Sequence, residues 1–187
     1  MPCSSSQSLL SRIDRAVLRF ELGLAGICVA GIGLLMLANV VLRGIGRPLI
    51  WGDELAVNLM VWSALLGASI AIATRRQVAV DLLSESLKPR ARVWLGLGVD
   101  ALVCVAVLLI GLFVWRWFDL PGLIRAGSPS ELSMKTFNFI YQEPTLTLGV
   151  PKVVFWSVLP LFCLCAACHA LSALYEDIAC LVAERRA

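Results

Sequence analysis

Trp51-Gly-Asp53-Glu54-Leu-Ala-Val-Asn58-Leu-Met-Val-Trp62-Ser63-Ala-Leu-Leu-Gly67-Ala-Ser-Ile-Ala71-Ile-Ala-Thr74-Arg75-Arg76 is the stretch that decides the fold. It opens on an acidic pair, runs apolar for the length of a helix and leaves on twin arginines. A hydrocarbon core of roughly 30 Å takes about 20 helical residues, so this stretch is read as a membrane span over 51–74. Directly behind it, residues 78–88 alternate faces. Val80, Leu83 and Leu87 line one side of a helical wheel, and Asp81, Ser84, Glu85 and Lys88 line the other. That pattern predicts a short helix lying flat at headgroup depth, ended by Pro89.

Working outward, three more runs reach spanning length, at about 22–42, 93–118 and 150–174. Hydrophobic residues make up 59% of the 187-residue chain and charged residues only 16%, with mean hydropathy +0.86. A soluble domain of this size has too little interior for so much apolar surface, so lipid is the solvent and a direct partner. The runs lack the alternation of barrel strands. The expected fold is an all-α polytopic membrane protein of four transmembrane helices plus the interfacial helix. A net charge of +3, with basic residues scattered at loop edges, gives no footprint for nucleic acid.

Four spans put both ends on one side. With both termini in the cytoplasm, Arg12, Arg15, Arg19, Arg75, Arg76, Lys88, Arg90, Arg92, Arg185 and Arg186 lie inside. Arg43, Arg47, Arg116, Arg125, Lys135 and Lys152 then lie outside. That bias favours the orientation. Trp51, Trp115, Trp117 and Trp156 fall near the outer interface and Trp94 near the inner one. Residues 1–19 and 176–187 are expected as cytoplasmic tails, and 119–149 as a long outer loop rich in breakers. The first run exceeds a signal-peptide h-region and ends without an Ala-x-Ala-like site, so it reads as an uncleaved anchor.

Within the spans, Ser63, Gly67 and Ala71 recur at four-residue spacing, which lets two helix backbones approach closely in lipid. Packing inside this chain and docking onto another protein both fit that stripe. Glu54 and Asn58 share a different face, and Trp62 lies one turn on. Asp53 and Glu54 sit where the helix dipole favours carboxylates, one of them in reach of Arg43 or Arg47. Asp100 is the one acid well inside a span, and His169 of the fourth span is expected at a similar depth as its partner. Pro160, ten residues into that span, is expected to kink it.

Cys165-Ala-Ala-Cys168-His169 matches the pattern of covalent c-type haem attachment. Its place late in an apolar span, on the cytoplasmic side, and the lack of a second histidine argue against haem. Cys163, Cys165, Cys168 and His169 on one helix converge poorly on a metal. The expectation is no cofactor and no metal. The seven cysteines are odd in number and lie mostly in apolar runs, which argues against a disulfide framework. Neither a phosphate loop nor a nucleophile–base set is visible, so no enzyme is expected.

Trp51-Gly-Asp-Glu54-Leu55, Val61-Trp62, Leu66-Gly67-Ala68 and Arg76-Gln77-Val78-Ala79-Val80-Asp81 form an ordered set, followed by Pro151, Trp156 and Leu159-Pro160. Over about residues 12–175 it resembles the small integral membrane subunit of tripartite ATP-independent periplasmic (TRAP) transporters, the DctQ family. The chain departs from the family in two places: Gln77 stands where a histidine is usual, and the loop around 130–148 is longer than typical. The resemblance implies a heterodimer with a large membrane subunit, a periplasmic substrate-binding protein and Na⁺-coupled uptake of an organic acid in the bacterial inner membrane. It implies a scaffold role here, with Glu54, Asn58, Trp62, Ser63, Gly67, Ala71, Arg76, Asp81, Leu83 and Pro160 as interface or structural candidates. Two other readings stay open: a self-sufficient small homo-oligomeric transporter or channel using Asp100, and a membrane redox protein using Cys163, Cys165, Cys168 and His169.

Overall fold

The structure is a computed structural model and describes residues 9–74 and 89–184. The expected interfacial helix at 78–88, with Arg76, Asp81 and Leu83, lies outside the described residues. Four long helices dominate: α1 (Leu9–Gly44), α2 (Ile50–Ala73), α3 (Pro89–Phe118) and, after three short ones, α7 (Val158–Glu184). The short ones are α4 (Leu120–Ala126), α5 (Pro129–Thr136) and α6 (Val153–Trp156). All four long helices are apolar and long enough to cross a membrane. Helix α1 has 36 residues, roughly 54 Å at 1.5 Å per residue, well beyond the hydrocarbon core. Residues 9–19, expected as part of a tail, therefore continue the first span as helix, and α7 likewise carries helix past 176.

The bundle is built around α7. It packs along both α3 and α2 and touches α1, while α1 lies mainly on α2. Burial reports the same arrangement: 39% of the apolar window of the last span is buried, against 11–17% for the other three. Val107 of α3 and Phe162, Cys163 and Ala166 of α7 form the core, and Leu65 and Ile72 of α2 close over it. Elsewhere the long apolar side chains point outward, among them Ile27, Leu34, Leu102, Phe113 and Leu164. Lipid tails are as apolar as those side chains, so burying them against another helix gains little. Polar ties and close small-residue contacts must do more of the holding.

Gly96 lies against Asp177 and Gly111 against Cys163, which fixes the antiparallel register of α3 and α7. The two helical pieces α6 and α7 meet at Ser157, whose φ −57 and ψ −16 are helical and whose N–H donates to Val153 O at 3.0 Å, so Pro160 lies within one apolar span, Val153–Ala179. The ring there removes the i−4 bond to Trp156, and the helix is interrupted beside it.

The outer loop is ordered by local chemistry. Asp119 takes φ 39 and caps α4, its carboxylate accepting from Gly122 N at 3.0 Å. Ser128 caps α5 by accepting from Glu131 N at 3.2 Å. Beyond α5, Tyr141 donates its phenol to the carbonyl of Phe118, and Asn138 donates to the carbonyl of Trp117 at 2.8 Å. Both ties bring the returning chain back over the end of α3. Burial pushes the Tyr141 phenol above its ordinary value, and the neighbouring Asp119 carboxylate adds to the effect.

Candidate functional site

Two polar clusters stand at opposite ends of the bundle, with the small-residue stripe of α2 between them. At the loop end, Glu54 in the second turn of α2 reaches the segment 146–148. Its Oε1 accepts from Leu146 N at 2.8 Å, and its Oε2 accepts from Thr147 N at 2.7 Å, Thr147 Oγ1 at 2.6 Å and Leu148 N at 3.2 Å. Successive backbone N–H groups converging on one anion form a nest. The turn that creates it is closed by Thr145 N donating to Val150 O at 2.8 Å and passes through Gly149 at φ +68, a conformation glycine adopts without strain. Glu54 thus fastens the long loop to the second span, 92–94 residues away in sequence.

The adjacent acid serves a different tie. Asn39 of α1 donates through Nδ2 to Asp53 at 2.8 Å and accepts from Leu49 N at 3.0 Å. One buried amide therefore bridges α1, the connecting turn and the start of α2. The expected Arg43 contact to Asp53 is present at 4.0 Å between two well-exposed side chains, where such pairs contribute little. Asn58 donates to the carbonyl of Glu54 at 2.9 Å within its own helix. Trp62 sends its indole N–H across to the carbonyl of Phe155 at 2.8 Å, pinning α6 to α2. Trp117 packs on Trp156 with ring centroids 4.9 Å apart, which pins the same short helix to α3.

Along α2, Ser63 is turned back onto the carbonyl of Leu59 at 2.8 Å, and Ala71 is half-buried. Gly67 is exposed, and a Cβ added there meets nothing within 4 Å. Ala64 and Ala68 beside it are exposed as well. The middle of the stripe is therefore turned away from the chain's own helices.

At the other end, His169 on α7 is 1% exposed and faces α1. Its Nδ1 lies 2.7 Å from Asp14 Oδ1, and its Nε2 lies 2.9 Å from Glu21 Oε2. Asp14 and Glu21 are seven residues apart, so they share one face of α1 two turns apart and grip the ring from both edges. Glu21 is itself 0% exposed. The Cys165 thiol lies against Glu21.

Against expectation, the ring of His169 takes its partners from α1 and not from Asp100. The α3–α7 register puts Asp100 roughly 7 Å along the axis from the level of His169 at 1.5 Å per residue, and α1 supplies the carboxylates instead. Both ring nitrogens are thereby engaged. Asp14, Glu21, Asn39 and Thr147 were not among the residues singled out from the sequence. The i, i+7 pairing of two acids at the mouth of an apolar run was the signal available for the first two. No sequence signal points to the partners of Glu54 in the loop.

The family model described as tripartite ATP-independent periplasmic transporters, DctQ component, matches residues 32–180. The C4-dicarboxylate TRAP transporter small permease protein DctQ of Rhodobacter capsulatus is 35% identical over 113 residues, covering 53% of this chain and 49% of that protein. The sialic acid TRAP transporter permease protein SiaT of Haemophilus influenzae (strain 86-028NP) is 30% identical over 102 residues, covering 54% of this chain and 17% of that protein. The chain thus spans about half of the first and about a sixth of the second. No solved structure matches.

Proposed function

The chain belongs to the family of the DctQ component of tripartite ATP-independent periplasmic transporters, and from that premise we propose that it is the small, non-catalytic membrane subunit of such a transporter. In this reading it braces a large membrane subunit while that subunit carries an organic acid with Na⁺, delivered by a periplasmic binding protein. The relatives named for C4-dicarboxylate and for sialic acid fit an acidic substrate class. Both termini lie in the cytoplasm, consistent with the excess of arginine and lysine on that side. The loop held by Glu54 then lies on the periplasmic side.

The observation that carries the reading is the outward stripe of α2. Gly67 has open space where a Cβ would stand, yet in lipid small residues gain their value from close approach of another helix. A helix of the large subunit is the occupant this reading assigns to it. Glu54, Asn58, Trp62 and Pro160 act one step back, holding the loop, α6 and α2 so that the stripe is presented in a fixed orientation.

Co-expression with the cognate large subunit, followed by affinity capture, tests this. Wild-type chain is expected to co-purify in equal amount. Gly67→Leu should leave the melting of the isolated chain unchanged while cutting recovery of the complex about ten-fold, on the order of 1.4 kcal/mol. Equal stability of the wild-type chain with and without the large subunit, and no co-purification, would sink the proposal.

A further inference from the structure

The buried cluster Asp14–His169–Glu21 ties α1 to α7, and its hydrogen-bond count does not close with a neutral ring between two ionised carboxylates. A neutral imidazole carries one N–H, and its other nitrogen is an acceptor. Here both nitrogens lie within 2.9 Å of a carboxylate oxygen. With one ring proton, a lone pair of the imidazole would face a carboxylate lone pair inside a low-dielectric bundle, which is repulsive. A second proton turns both contacts into charge-assisted hydrogen bonds.

We propose that this cluster is a proton-binding site in which His169 is held as an imidazolium between the carboxylates of Asp14 and Glu21, the bound proton tying α1 to α7. The balance is simple: one proton enters, no bond other than N–H forms, and the three groups pass from net charge −2 to −1. Glu21 points to the same conclusion independently. It is fully buried, and its second oxygen, Oε1, finds no hydrogen-bond partner of good geometry. A carboxylate in that position has lost its water and is stabilised by a proton shared with the ring beside it.

The surroundings supply no other cation among the described residues in view of the ring. On α1, Arg12, Arg15 and Arg19 are exposed. On α7 the Cys165 and Cys168 thiols are adjacent, and Asp177 is two turns farther along. Helix α2 carries no titratable residue between Leu55 and Thr74. Helix α3 brings Cys104 to about the level of the ring and Asp100 more than a turn away. The only ring in the chain that can carry this charge is His169, because the sequence holds 1 histidine.

That single histidine makes the test residue-specific. The full chain is labelled with ¹⁵N-histidine, placed in lipid nanodiscs and followed by nitrogen NMR at pH 7.5, where a free imidazole, of pKa about 6.5, is largely neutral. The wild-type ring should show two equivalent, protonated nitrogens. Glu21→Gln and Asp14→Asn should each weaken proton affinity at least about ten-fold, a shift of about one pH unit in the titration. Asp14 is partly exposed, so its variant provides the measurement if the Glu21 variant does not fold. A neutral single tautomer in the wild-type chain overturns the site. So does an imidazolium signal that neither carboxamide variant alters. No arm requires the large subunit, so failure here is separable from failure of the scaffold reading.

Discussion

His169 and Glu54 each hold distant parts of the chain together, and they should fail differently. Replacing His169 by Ala leaves Asp14 and Glu21 facing a void with no counter-charge, and removing one partner of a buried ionic set typically costs about 3–5 kcal/mol. Asp14→Asn keeps a hydrogen-bonding group at a partly exposed position and should cost less. Thermal unfolding of the purified chain in one detergent should therefore rank wild type above D14N and D14N above H169A. Glu54→Ala works at the other end. It removes the acceptor of three backbone N–H groups and one hydroxyl, so the nest at 146–148 loses its anion. The spans should stay folded while limited proteolysis near Leu146, already 91% exposed, speeds up several-fold. Coincident loss of the loop and the helices in that variant would show that the clamp is global and not local.

At the scale of elements, the outer loop is held by caps and returns whose strengths can be separated. Gly122 stands where any side chain would run into the Asp119 carboxylate, so Gly122→Ala should break the cap of α4, at about 0.5–2 kcal/mol. The readout is faster amide exchange over Leu120–Ala126 with α3 unaffected. Tyr141 docks the far arm of the loop on Phe118, and Tyr141→Phe should remove about 1 kcal/mol. The folded phenol holds its proton more tightly than the unfolded one, whose pKa is about 10, because burial and then Asp119 disfavour phenolate. Its contribution is complete below about pH 10 and is lost as pH rises through the higher folded value. Wild-type loop protection should accordingly stay flat from pH 6 to 9 and fall only in stronger alkali, whereas the Y141F variant should lack that alkaline step. Helix α6 illustrates why such parts resist reading from sequence. Four residues, Val153–Trp156, are held by Trp62 and Trp117, neither of which is near them in the chain.

For the whole molecule, the spans were legible because lipid imposes a length and a composition on each helix independently of its neighbours. The chain segments Trp51–Thr74 and Val93–Phe118 announce themselves locally, and α2 and α3 follow them closely. What was not legible depends on register between segments. Glu21 reads as the boundary of the first apolar run until α7 is laid beside it, and its partner lies 148 residues on. Asp100 and His169 looked paired when depth alone was counted, whereas the contacts of Gly96 and Gly111 displace them by more than a turn. Orientation is of the first kind, a bias summed over loops, and it can be tested directly in cells. Leu146→Cys places a thiol on the loop clamped by Glu54, and Ser11→Cys places one near the start of α1. Cys28, Cys104, Cys163 and Cys165 are buried and Cys168 is half-buried, so with Cys3 and Cys180 changed to serine the background is low. A membrane-impermeant maleimide should label the Leu146 variant in intact spheroplasts, and the Ser11 variant only after the membrane is opened. The reverse pattern would turn the whole bundle over, placing the His169 cluster on the periplasmic side and the Glu54 clamp in the cytoplasm.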